Sequence, residues 1–197
     1  MATPPDFTTG QVLTAAQMNA VGLWKITPTS GTTTGAGSSA SVHSGGNVTI
    51  AGNATSVTIN GAFSADYRNY KVLISGIDCT NGFGDLFQLR MANTNNHIAS
   101  MYSDLYTGGI SAFYRNNVVS AANIGFCSPD TDLNITFDII NPQIAQRTSW
   151  NGFSYTAGLA NWFSGQYNLT TQFTTITFLA TAGTFTGGNI AIYGYNL

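Results

Sequence analysis

Asn134-Ile-Thr-Phe-Asp-Ile139 alternates apolar and polar residues without a break, so that Ile135, Phe137 and Ile139 face one way and their polar neighbours the other. A period of two is the signature of a half-buried β-strand. The same alternation recurs in Thr175-Ile-Thr-Phe178, in Phe87, Leu89 and Met91, and in Tyr70, Val72 and Ile74. Near the end of the chain, Ile190 and Ile192 alternate with Ala191, Tyr193 and Tyr195. Turn signals punctuate these runs: Asn60-Gly61, Asn81-Gly82, Gly108-Gly109, Asn116-Asn117, Asn141-Pro142, Asn151-Gly152 and Gly187-Gly188. About ten short strands at this spacing predict an all-β fold, an antiparallel β-sandwich of jelly-roll type, over residues 47–197. No repeat period emerges, which argues against a propeller or β-helix.

Composition supports strands over helices. Only 7% of the 197 residues are charged, against roughly 25% in ordinary soluble proteins, and there is no Glu. Exposed helix faces are normally filled by long charged side chains, and here Thr, Asn, Ser and Gly take their place. A net charge of −2 with singly scattered Arg and Lys gives no footprint for nucleic acid. So neutral a surface tolerates close packing against other copies or partners. No apolar run approaches the ~20 residues of a membrane span, and no secretory signal is read in residues 1–7, so assembly in the cytosol is expected.

Two segments precede the strands. In residues 1–26, Thr14-Ala-Ala-Gln17 forms a capping box, Leu13 and Met18 occupy the positions of a hydrophobic staple, and Gly22 stands where a helix would stop. The predicted helix, about residues 15–21, is too short to be stable alone and therefore reads as a docking element. The apolar residues of this segment, Phe7, Val12, Leu13, Met18, Val21 and Trp24, are the candidate anchor. Residues 27–46 are rich in Thr, Ser, Gly and Ala and are expected to form an extended arm winding along neighbouring copies.

Catalytic and metal signatures are sparse. The two histidines are His43, in the low-complexity arm, and His97, read as a loop residue; no Gly-x-Ser-x-Gly elbow is present. Asp130-Thr-Asp132-Leu-Asn134 begins like a calcium loop, but Ile135 stands where Gly is needed and no Glu can close it. No zinc or phosphate motif appears, so neither metal nor cofactor is expected. Asparagine-rich turns account for most of the aspartates, although a carboxylate pair in a cleft would be the mark of a polysaccharide depolymerase. The Asn-x-Ser/Thr sequons at Asn47, Asn53, Asn134 and Asn168 are of the number chance gives. Cys79 and Cys127 read as small buried apolar side chains. Aromatic residues are the remaining lead, because a flat apolar ring beside Asn and Gln suits a sugar. Tyr102, Tyr106, Tyr114 and Arg115 form one candidate patch, and Trp150, Tyr155 and Trp162 the other.

The stretch Asp6-Phe-Thr-Thr-Gly10-Gln-Val-Leu-Thr-Ala-Ala-Gln-Met-Asn19 resembles the N-terminal motif of minor tail and tail-fibre proteins of tailed bacteriophages. Phe63-Ser-Ala-Asp-Tyr-Arg-Asn-Tyr-Lys-Val-Leu-Ile-Ser-Gly76 and Ile190-Ala-Ile-Tyr-Gly194 are similar to the opening and closing strands of β-sandwich domains in such virion proteins. The resemblance implies a homotrimer anchored on the particle by its N-terminus through other virion proteins, with a distal domain that contacts the host surface, for which a glycan is expected. A capsid decoration or head-fibre protein, and a small depolymerase, are the alternatives.

Overall fold

The computed structural model describes residues 22–80, 85–105, 109–129, 132–156 and 158–195, the side chains of 102–105 and 109–118 excepted. The helix expected over residues 15–21, and with it Phe7, Val12, Leu13, Met18 and Val21, lies outside the described residues, as does Tyr106.

Fifteen strands make up the described chain, with no helix among them: β1 (Trp24–Lys25), β2 (Ser30–Thr34), β3 (Ser39–Val42), β4 (Val48–Ala54), β5 (Ser56–Asn60), β6 (Asn69–Cys79), β7 (Leu86–Arg90), β8 (His97–Leu105), β9 (Gly109–Val119), β10 (Ala122–Phe126), β11 (Leu133–Ile140), β12 (Ser149–Thr156), β13 (Leu159–Tyr167), β14 (Thr175–Ala180) and β15 (Phe185–Tyr195). They form two antiparallel sheets. The larger has the order β3-β4-β15-β6-β11-β12-β13-β8-β9, with β1 also paired to β15; the smaller has the order β10-β7-β14-β5-β2. From β4 to β7 each successive strand changes sheet.

The inward rows predicted by alternation supply the core. Ile135, Phe137 and Ile139 of β11 are buried, as are Val72 and Ile74 of β6 and Ile176 and Phe178 of β14. Rings join the sheets: Phe137 meets Phe178 at 6.3 Å between centroids, and Phe87 meets Phe185 at 5.3 Å. Cys79 and Cys127 are both buried free thiols, as expected, and the hydrogen bond between them, with burial, pushes the Cys127 thiol far up from its usual pKa.

Residues 27–46, read above as an extended arm, contribute two strands to the chain's own sheets. β2 pairs with β5 and β3 with β4, so this segment adds an edge to each sheet of its own chain. Threonine is β-branched and suits a pleated surface. Its hydroxyls are used as well: Thr34 Oγ1 lies 2.8 Å from Thr55 Oγ1 and 2.6 Å from Ser56 Oγ. Gly35 (φ 126°) and Gly37 (φ 69°) supply the left-handed backbone of the turn between the two strands. Among the described residues the first strand is therefore at Trp24, ahead of residue 47.

Candidate functional site

The outer face of the larger sheet is built by register. Thr136 of β11 pairs with Leu73 of β6 on one side and Phe153 of β12 on the other; Phe153 pairs with Trp162 of β13, and Trp162 with Tyr102 of β8. Directly opposed residues in an antiparallel sheet share a face. The next row places Asn134 opposite Tyr155, and Tyr155 opposite Ala160. Leu73 (38% exposed), Phe153 (54%), Tyr155 (56%) and Trp162 (42%) are thus one contiguous exposed apolar group. Phe153 and Trp162 meet edge to face, 6.0 Å between centroids. Beside them a trough of about 430 Å³ runs over β11, floored by Asn134 and Thr136 and walled by Leu73 and Ser75 on one side and Phe153 and Tyr155 on the other.

The next outward row along β11 carries charge, where Asp138 stands opposite Lys71. Lys71 Nζ donates to Asp138 Oδ2 at 3.1 Å, and the Tyr195 hydroxyl donates to Asp138 Oδ1 at 3.1 Å. Burial and the neighbouring Asp138 carboxylate push the Tyr195 phenol up to about 12. In the floor of the trough Asn134 Oδ1 accepts from the Gly76 backbone N–H at 3.2 Å, and Asn134 Nδ2 donates to the Asp132 carbonyl at 3.4 Å. The floor amide is thereby held in one orientation.

The two predicted aromatic patches fare differently. Tyr155 and Trp162 come together on this face, but Trp150 does not. It is 1% exposed, 6.0 Å from the His97 ring, and stands opposite Gly165, which has no side chain to hold the indole off the sheet. Trp150 is a core residue. Register also divides the other patch, since Tyr102 pairs with Trp162 and Phe113 and Arg115 with Ser100, whereas Tyr114 pairs with Met101. Tyr102 therefore falls on the row of Trp162, and Tyr114 on the row of Met101. Sequence reasoning left out Leu73 and Phe153 as site residues. Strand parity was the available signal, because Phe153 and Tyr155 share a parity that Trp150 lacks.

His97 is not a loop residue. It opens β8, is fully buried, and accepts the Met91 N–H at Nε2 (3.0 Å) while Nδ1–H donates to the Val119 carbonyl at 3.1 Å. Burial above all, with the nearby Arg90 charge, holds its pKa below the ordinary value. Among the described residues no group of three or more His, Cys, Asp or Glu could hold a metal ion, and no helix is long and apolar enough to cross a membrane.

Compared with known proteins, the chain matches no protein-family model and no curated sequence.

Proposed function

We propose that this chain is a fibre or adhesion module of a tailed-bacteriophage virion, which holds a host surface glycan on the outer face of its larger sheet without cleaving it. One observation carries the reading: Leu73, Phe153 and Tyr155 are exposed along a trough on one sheet face, and Trp162 is exposed beside it against Phe153. Monomeric soluble proteins rarely leave such a group uncovered unless it binds something. Rings that flank a floor of Asn and Thr suit the C–H faces and hydroxyl edges of a sugar. The fold belongs to the same reading. β4-β15-β6-β11 set against β5-β14-β7-β10 is the pairing of a jelly roll, whose two Greek keys are here extended by β8–β9, β12–β13 and the N-terminal strands.

Residues 1–26 are the anchor to other virion proteins in this account, and β1 ties the anchor's end, Trp24, to Gly194 of β15. Particles assemble in the host cytoplasm. The trimer now rests on the neutral surface and the resemblance alone, since the low-complexity segment packs within its own chain. A single sugar would bind near millimolar, about 4 kcal/mol, and three copies on one fibre would raise this through avidity. A second reading, a capsid decoration protein, is favoured by the same apolar trough, which would also suit a protein partner. Full-length protein added to susceptible cells separates the two. The proposal expects adsorption with no shortening of the surface polysaccharide; absence of adsorption, together with binding to purified capsids, would replace it with decoration.

A further inference from the structure

The shape and charge of the trough narrow its ligand, on the reading that this face binds a saccharide. Leu73 and Phe153 both pair with Thr136, so the walls stand two strand spacings apart, about 9–10 Å between backbones. The trough is bounded by Leu73 on one side and Phe153 on the other, so a ligand seated in it lies lengthwise along β11. Along β11 the floor offers Thr136 and Asn134, about 7 Å apart on a strand.

Charge excludes one class of sugar. None of the residues lining the trough is charged, and Lys71, in the next outward row along β11, is held by Asp138 at 3.1 Å. A carboxylated or phosphorylated sugar would bring its charge into an apolar trough whose lining offers it no cation.

We propose that the trough takes a neutral glycan, seated lengthwise over β11, with its ring faces against Leu73 and Phe153 and its hydroxyl edge on Thr136 and Asn134. The ligand is recognised by shape and hydrogen bonding, and binding is therefore indifferent to salt.

The test applies the full chain to a printed array of bacterial capsule and lipopolysaccharide oligosaccharides, neutral and acidic, at about 50 mM and 500 mM NaCl, across which the Debye length shrinks severalfold. Neutral glycans should bind, with signals unchanged by salt. Leu73→Trp, which fills the trough from an exposed position, should weaken binding by about tenfold or more, and Leu169→Ala, an exposed leucine outside the trough, should leave it unchanged. Binding confined to acidic glycans, collapse of the signal in salt, or indifference to Leu73→Trp would overturn the inference while leaving adhesion standing. Binding to no glycan at all would remove the adhesion reading itself, and this inference with it.

Discussion

His97 joins three backbone segments through one ring, and its two hydrogen bonds fix its charge. Nε2 accepts from Met91 N–H, so a proton on Nε2 would set two donors against each other. The folded ring therefore stays neutral below the pH at which a free histidine charges. Its folded pKa is depressed, so its contribution is complete above about pH 6.5 and is lost as pH falls towards the folded value, because only unfolded chains take up the proton there. The thermal midpoint should decline from pH 7 to pH 5. His97→Asn should start lower, by about 1–3 kcal/mol for the disturbed buried groups, and decline less steeply. Parallel curves for the two proteins would contradict this. Gly165 makes the complementary case. A Cβ there would come within 2.6 Å of both the Trp150 ring and the Ile98 carbonyl. Gly165→Ala should cost about 1–3 kcal/mol in urea unfolding, and an unchanged midpoint would mean that the indole moves aside freely.

At the scale of elements, the strands with apolar alternation were legible. β6, β7, β11, β14 and β15 stand where period-two runs predicted them, because one face of each is buried against the opposite sheet. β2 and β3 were not legible. Ser30-Gly-Thr-Thr-Thr34 has no apolar row, since an edge strand held by ladder bonds and hydroxyl contacts needs none. The same limit applied to the site. Composition picked out the aromatics, while only parity and register could tell that Trp150 belongs to the core and Phe153 to the surface. The edge strands are testable by truncation. A chain beginning at residue 22 should unfold cooperatively. One beginning at residue 47 loses the β2–β5 and β3–β4 pairings and the partly buried Ile26, Ala40 and Val42, and should be less stable by on the order of 3 kcal/mol. Equal stability of the two chains would show that the edges are dispensable.

For the whole molecule, we propose that a sparsely charged two-sheet protein adheres to a host glycan through an exposed aromatic face and leaves the glycan intact. The smaller sheet and the inward rows of the larger one explain stability; the outward row across β6, β11, β12 and β13 is what remains for contact. Trp162 is the largest exposed ring on that row, and its loss should not disturb the core, since it is 42% exposed. The direct test is an adsorption isotherm of full-length protein on susceptible cells, comparing the wild type with Trp162→Ala and with Leu169→Ala. The account predicts that Trp162→Ala loses about tenfold or more in apparent affinity, or at least 1.4 kcal/mol, with Leu169→Ala matching the wild type. A folded Trp162→Ala protein that adsorbs as well as the wild type would contradict it.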